Sequence, residues 1–127
     1  MIIVDTSVWV SALRSKSSPE TAILRQLLDA DEVALPVPVR SELLMGVAGP
    51  ARNQLAGVLS ALPVIYPSED TWRTLDAWTE RTTRTGQFFS LGDLLIAILA
   101  SEAGALVWSL DRDFERLERL TLVKLYG

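Results

Sequence analysis

Short apolar runs alternate with longer segments of helical periodicity along the whole chain. These runs lie at 2–4, 33–35, 64–66, 106–108 and 122–123. Each is too short for a helix and predicts a buried strand, and strands that alternate with helices favour a parallel sheet covered on both faces. The pattern therefore predicts an α/β fold, a three-layer α/β/α sandwich with a central, mainly parallel sheet of about five short strands, and residues 1–127 form one domain.

Helical spacing, capping residues and breakers predict the helices between these strands. They are expected at about 6–13, 19–29, 39–46, 51–62, 68–84, 93–104 and 111–117. Residues 94–100 of the penultimate helix are apolar on every face, which predicts a buried helix whose amino end lies in the protein or a cleft.

Acids and small hydroxyls stand directly after two of the predicted strands. Asp5 follows the first strand, and Ser109 and Asp111 follow the strand at 106–108. Ligands bind at the carboxyl edge of open parallel sheets, where the crossing helices leave a crevice. If the two strands are neighbours, Asp5 and Asp111 lie close together.

The chain contains no cysteine and no histidine. Disulfides, thiolate nucleophiles, Ser-His-Asp triads and His- or Cys-ligated zinc are therefore excluded, and the chemistry must depend on carboxylates. The longest apolar run is much shorter than a bilayer span, and no basic segment precedes Ile2. These features predict a cytoplasmic protein with no membrane segment.

The net charge of −4 argues against a general nucleic-acid coat but leaves room for a nucleic-acid enzyme whose acids surround a cation. The basic residues are almost all arginine, whose planar fork suits phosphate. Arg81, Arg84 and Arg112 are the expected phosphate contacts.

Each candidate acid also has an ordinary structural interpretation. Asp5 and Asp93 suit helix amino termini, Glu42 lies in a first turn, and Asp111 and Asp113 precede a short helix. Asp93, however, begins the buried helix, where an ionised carboxylate is costly unless a cation accompanies it. Carboxylates without imidazole or thiolate select Mg²⁺ or Mn²⁺.

Four ordered motifs resemble those of the PIN-domain ribonucleases, and of the VapC type in particular, the toxins of bacterial toxin–antitoxin pairs. The motifs are Val4-Asp5-Thr-Ser-Val, Arg40-Ser-Glu42-Leu-Leu-x-Gly46, Asp93-x-x-Ile96-Ala97 and Ser109-x-Asp111-x-Asp113-Phe114. They extend over essentially the whole chain. The resemblance departs from the family at Ser109, where threonine is common, and at Leu94, where alanine is usual.

The resemblance implies a PIN-like sheet with an acidic pocket that holds Mg²⁺ or Mn²⁺ and cleaves RNA. Its catalytic acids would be Asp5, Glu42, Asp93 and Asp111, and its metal ligands Asp5, Asp93, Asp111 and Asp113. Thr6 and Ser109 match the positions of the supporting hydroxyls. Asp111 or Glu42 would accept the proton of the attacking water, because no histidine is available.

Large apolar residues in the segment 39–62, together with Trp72 and Trp78, exceed what a small sheet is expected to bury. This excess and the resemblance predict a homodimer and a small antitoxin partner, which places an arginine or another polar side chain among the acids. Core filling is the alternative role of each tryptophan.

Two other functions remain open at this level. A carboxylate phosphatase would use one aspartate of Asp111-Arg-Asp113 as nucleophile, although neither Lys16 nor Lys124 is well placed to neutralise its phosphoryl intermediate. A catalytically silent PIN-like binding module would use its acids only as helix caps. An effect of Mg²⁺ or Mn²⁺ on stability distinguishes the silent module from the enzymes, and turnover of small phosphomonoesters identifies the phosphatase.

Overall fold

Helices and strands alternate along residues 1–127, all of which the computed structural model describes. The elements in chain order are β1 (Ile2–Val4), α1 (Thr6–Arg14), α2 (Pro19–Asp29), β2 (Val33–Pro36), α3 (Val37–Met45), α4 (Gly49–Leu59), β3 (Val64–Ile65), α5 (Glu69–Arg84), α6 (Leu91–Ala103), β4 (Leu106–Trp108) and α7 (Asp113–Arg119). The predicted α/β fold is confirmed.

The four strands form one parallel sheet in the order β3-β2-β1-β4. All residues of β1 and β2 are buried, as expected for strands covered on both faces. Strand β1 pairs with β4 at one edge of the sheet, with Val4 opposite Trp108, so the carboxyl ends of these two strands lie side by side. The backbone N–H of Asp5 donates to Trp108 O at 2.9 Å and continues this pairing by one residue.

The predicted fifth strand at 122–123 is wrong. Thr121 has a φ of 60°, and the buried Leu122 and Val123 fill the core without pairing. The only contact of strand type in this region is a single parallel bridge between Leu125 and Val107. A break at the left-handed Thr121 thus moves the pairing two residues beyond the apolar pair that suggested it.

Helix α6 is the main core helix. Residues 94–100 are all buried, and the helix packs against α3, α5, α7 and β4. Ser90 caps its amino end by accepting from Asp93 N, and Gly104 ends it with a φ of 63°, which a glycine adopts without strain. The predicted burial of this helix is confirmed, with Asp93 in its first turn.

Two helix boundaries differ from the prediction because of prolines. Helix α3 begins at Val37 rather than near residue 39, and α4 spans Gly49–Leu59 rather than 51–62. Pro38 and Pro50 lie in the first turns, where a missing N–H leaves no intrahelical bond unmade. Each of these two prolines is therefore part of its helix.

Several large apolar side chains remain on the helical surface. Trp72 is 48% exposed, Met45 is 79% exposed and Val58 is 51% exposed. Trp78 is half-buried and packs against the core, so core filling describes Trp78 better than Trp72. No helix is both long enough and apolar enough to cross a bilayer.

Candidate active site

Asp5 is the buried acid at the junction of β1 and α1, with 5% of its surface exposed. It is the N-cap of α1, so its ordinary capping role is present in the structure. Its Oδ2 accepts from Ser7 Oγ and from Ser109 Oγ, each at 2.8 Å. No hydrogen bond reaches Oδ1, and this atom keeps contact with solvent. One oxygen is therefore fixed by the fold while the other is available to a ligand.

The hydroxyls of Ser7 and Ser109 connect the two strand ends. Ser7 Oγ accepts from Leu110 N at 3.0 Å, and Ser109 Oγ accepts from Asp111 N at 3.0 Å. Both hydroxyls also donate to Asp5, so the loop after β4 is held against the end of β1. Ser109 lies where the sequence prediction expects a supporting hydroxyl. Ser7 was missed, although its position two residues after a capping aspartate is a recognisable signal.

Asp93 enters the site from the first turn of α6. Burial, followed by the nearby charges of Asp111 and Asp5, raises the pKa of Asp93 from 3.8 to about 6. The hydrogen bond to Ser90 lowers the pKa of Asp93, and the amino end of a helix also favours the ionised acid, but together they do not cancel the rise. A half-buried acid surrounded by other acids is expected to attract a cation.

Three carboxylates converge at this point. Asp93, Asp111 and Asp113 each offer one oxygen, and these three atoms lie within 4.8 Å of one another. Asp111 Oδ1 also accepts from Asp113 N at 2.9 Å, which folds the loop before α7 so that both acids face Asp93. We call this group of three residues the carboxylate cluster. The structure thus brings Asp93 close to two acids that lie 18 and 20 residues later in the chain.

Glu42 approaches the site from α3. Its Oε1 accepts from Thr6 Oγ1 at 3.1 Å and lies 3.9 Å from the position of a Cβ added at Gly92. Partial burial and then the charge of Asp5 raise the pKa of Glu42, and the Thr6 hydrogen bond opposes them. Thr6 therefore supports Glu42, whereas Ser7 and Ser109 support Asp5.

Arg116 of α7 was missed by the sequence prediction. Its Nη2 donates to Asp113 Oδ1 at 2.9 Å, and the two groups form an ion pair that is partly buried. It lies one helical turn after Asp113, a spacing typical of surface pairs, so the sequence carried only a weak signal. This arginine is the one cation that directly contacts the carboxylate cluster.

The three expected phosphate contacts occupy different positions. Arg81 donates to Leu120 O at 2.6 Å and ties α5 to the end of α7, and Arg84 pairs with Glu80 one turn earlier. These two arginines therefore have structural partners, and neither contacts the acids of the candidate site. Arg112 is exposed, makes no ion pair and stands between Asp111 and Asp113 in the chain, so of these three arginines only Arg112 adjoins the cluster.

The donor set fits a hard divalent cation. Every side chain of the cluster offers carboxylate oxygen, and the chain has no histidine or cysteine to add a nitrogen or sulfur ligand. Asp5 lies outside this group of three, and its Oδ1 keeps contact with solvent. Such oxygen-only sets suit Mg²⁺ and Mn²⁺. Burial and then the nearby charges of Asp111 and Asp5 raise the pKa of Asp93, and a bound cation offsets both effects.

The sequence matches the family model of the PIN domain over residues 2–120. The chain belongs to the PIN-domain family. This PIN domain is 30% identical over 126 residues to ribonuclease VapC11 of Mycobacterium tuberculosis, and the match covers 95% of this chain and 94% of the relative. The resemblance carried by the four motifs is thereby confirmed.

Solved structures of VapBC proteins share this fold. VapBC2 from Rickettsia felis, bound to a DNA fragment from its promoter, matches the PIN domain with a TM-score of 0.80 at 23% identity, covering 99% of this chain and 98% of that chain. VapBC-5 from Mycobacterium tuberculosis, a member of the VapBC family of toxin-antitoxin systems, matches with a TM-score of 0.66 at 22% identity, covering 97% and 94%. Both likenesses concern the fold.

Proposed function

We propose that this PIN domain is an endoribonuclease that depends on Mg²⁺ or Mn²⁺ and serves as the toxin of a type II toxin–antitoxin pair. The observation that carries the proposal is the convergence of the cluster oxygens within 4.8 Å beside the buried Asp5. The name of the relative, ribonuclease VapC11, supports RNA as the substrate. It also favours a nuclease over the phosphatase that the sequence left open.

The ion would be held by Asp93, Asp111 and Asp113 together with the free Oδ1 of Asp5. When bound, a divalent ion in such a site lowers the pKa of a coordinated water, orients the scissile phosphate and offsets the charge of the transition state. Asp5 contributes a fixed ligand, because Ser7 and Ser109 hold its other oxygen.

Glu42 is the residue that we assign as general base. Its raised pKa keeps it a better proton acceptor than an ordinary surface carboxylate, and Thr6 fixes one of its oxygens. Glu42 lies outside the carboxylate cluster, so its lone pairs are not committed to the ion. Asp111, the other candidate, would have to serve as ligand and base together.

Arg112 is the residue that we assign to the RNA backbone. It is exposed, carries no ion pair and stands between two members of the cluster. A guanidinium there offers two parallel donors to a phosphate that approaches the acids. Arg81 and Arg84 are left out of this role because each already has a partner.

We further propose that the toxin forms a homodimer and that a small antitoxin inserts a cationic side chain among the acids. The exposed Trp72, Met45 and Val58 supply apolar surface for such contacts. A guanidinium at the cluster would replace the charge of the ion and block RNA in one step.

The test is incubation of the purified protein with single-stranded RNA and, separately, with a small phosphomonoester, each with Mg²⁺ and with a chelator. The proposal expects cleavage of RNA in Mg²⁺ only and no release of phosphate from the monoester. Turnover of the monoester alone would favour the phosphatase. Sequencing of the RNA ends that appear on induction in cells would then identify the target.

A further inference from the structure

Phe88 is the most exposed aromatic side chain of the protein, with 79% of its surface accessible. It lies in the loop 85–90 between α5 and α6, a few residues before Asp93. The next residue, Phe89, behaves differently: it is half-buried and packs against the core. The loop therefore anchors one phenylalanine and leaves the ring of the other in water.

Exposure of Phe88 brings no gain in folding free energy, because the ring is absent from the core and its immediate packing. The residues that flank the acids have the same character. Leu91 is 58% exposed and Leu110 is 48% exposed, just before Asp93 and Asp111 in the chain. Exposed apolar residues thus precede the acids on both of the segments that supply the cluster.

Arg116 ties the Phe88 loop to the carboxylate cluster. Its Nη2 donates both to Phe88 O and to Asp113 Oδ1, each at 2.9 Å. Because both bonds end on the same nitrogen, the carbonyl oxygen of Phe88 lies no more than 5.8 Å from a carboxylate of the cluster. The backbone of Phe88 therefore lies at the edge of the active site, and this keeps its exposed ring in the neighbourhood of the carboxylate cluster.

Two further contacts make this connection rigid. Arg116 Nη1 donates to Gln87 Oε1 at 3.2 Å, and the guanidinium lies 4.2 Å from the centre of the Phe89 ring. A planar guanidinium that stacks on one ring and bonds three oxygens has little freedom to rotate. Arg116 therefore holds the loop in one position relative to Asp113.

We propose that Phe88 is a stacking platform for an unpaired base next to the scissile phosphate, and that Arg116 is its positioning residue. The inference rests on the proposed nuclease function and names a residue that would contact its RNA. Aromatic faces bind bases by stacking, and only an unpaired, splayed base offers its own face to the ring. An exposed ring close to the acids meets this requirement, whereas a double helix presents only edges and backbone.

Fluorescence of 2-aminopurine tests the proposal. Short single-stranded oligoribonucleotides with one central 2-aminopurine are titrated with the full-length protein carrying Asp93→Asn, which keeps the RNA intact. We expect quenching on binding, and we expect Phe88→Ala to remove the quenching and weaken binding about tenfold. Phe88→Trp should preserve both signals, and Phe88→Leu, which is apolar but not flat, should lose them.

Leu13→Ala is the matched control, because Leu13 is also an exposed apolar residue, 57% accessible, but lies in the last turn of α1. Unchanged RNA binding by Phe88→Ala would overturn the proposal, as would a Phe88→Leu variant that binds like Phe88→Trp. A Phe88→Ala variant that keeps RNA binding and changes only the oligomeric state would identify the ring as a protein contact. Phe88-dependent quenching, together with no Mg²⁺-dependent cleavage by the unmodified protein, would support base stacking on Phe88 and overturn the nuclease.

The role of Arg116 is tested by a double-mutant cycle on the same RNA. Arg116→Met should lower affinity in the Phe88 protein and have little further effect in Phe88→Ala, because both changes remove one contact. A purely structural role would reduce affinity equally in both backgrounds. Equal losses would therefore contradict the positioning role, even if Arg116→Met also lowers the melting temperature.

Discussion

At the scale of single residues, Asp5 and Asp93 lie in one site but differ in how their carboxylates are stabilised. Asp5 is buried with one oxygen satisfied by two hydroxyls, whereas Asp93 is half-buried among acids and has a pKa raised to about 6. Hydrogen bonds fix the first acid, whereas the second lies where a bound cation would offset its charge.

Asp93→Asn should stabilise the metal-free protein near pH 7.5 while abolishing cleavage. Between pH 3.8 and about 6 the folded state binds more protons than the unfolded state, so stability falls as pH rises through this window and the full penalty is present above it. The raised pKa corresponds to at most about 3 kcal/mol, and solvent screening of a half-exposed group reduces the expected gain to about 1 kcal/mol. Chemical denaturation with chelator measures it, and the gain should shrink toward pH 4.5.

Asp111→Asn should cost more activity than Asp113→Asn, by about tenfold in kcat. Asp113 already shares Oδ1 with Arg116, so part of its charge is offset, whereas Asp111 pairs with no cation. Cleavage rates of the two variants under saturating Mg²⁺ decide the order. The reverse order would exchange the roles of the two acids.

At the scale of elements, α6 positions Asp93 because its first turn is polar and the residues that follow are buried in the core. Ser90 caps the helix, Asp93 enters the cluster one turn later, and seven consecutive buried residues hold the axis in place. This arrangement was readable from the sequence, because a cap followed by a continuous apolar run has few other interpretations. The fifth strand was predicted wrongly because two apolar residues are too short a signal. A pair such as 122–123 can form a strand or simply fill the core after the turn at Thr121.

Ser90→Ala should destabilise the protein by about 1 kcal/mol through loss of the cap. It should also raise the pKa of Asp93 further, because the Ser90 hydrogen bond lowers it. Ser101→Ala is the control, since Ser101 is exposed at the other end of α6 and caps nothing. Equal melting temperatures for the two variants would show that the cap contributes no stability.

At the scale of the whole molecule, the parallel pairing of β1 with β4 creates the site. It places Asp5 beside the loop of Ser109 and Asp111, which the repeated strand-then-acid pattern predicted. Arg116 was not predictable in the same way. Its contacts with residues 87 and 88, 28 or more positions earlier, arise only when α7 packs beside the α5–α6 loop.

Light scattering at micromolar concentration should show a dimer, with twice the mass of the chain. Trp72→Ser should shift the protein toward monomer, because it removes a large exposed apolar side chain of α5. Arg73→Ser, one position further on the same helix, is the control and should leave the dimer intact. A strict monomer in the unmodified protein would refute the homodimer.

Calorimetric titration of Mn²⁺ into the protein near pH 7.5, with RNA cleavage assayed on the same samples, tests most simply whether the carboxylate cluster holds a catalytic metal ion. We expect saturable binding that is lost in Asp93→Asn and retained in Ser101→Ala. Cleavage should rise with occupancy of the site and stop when a chelator is added. Equal Mn²⁺ binding by Asp93→Asn, or RNA cleavage that proceeds unchanged in chelator, would contradict a metal-dependent nuclease built on the carboxylate cluster.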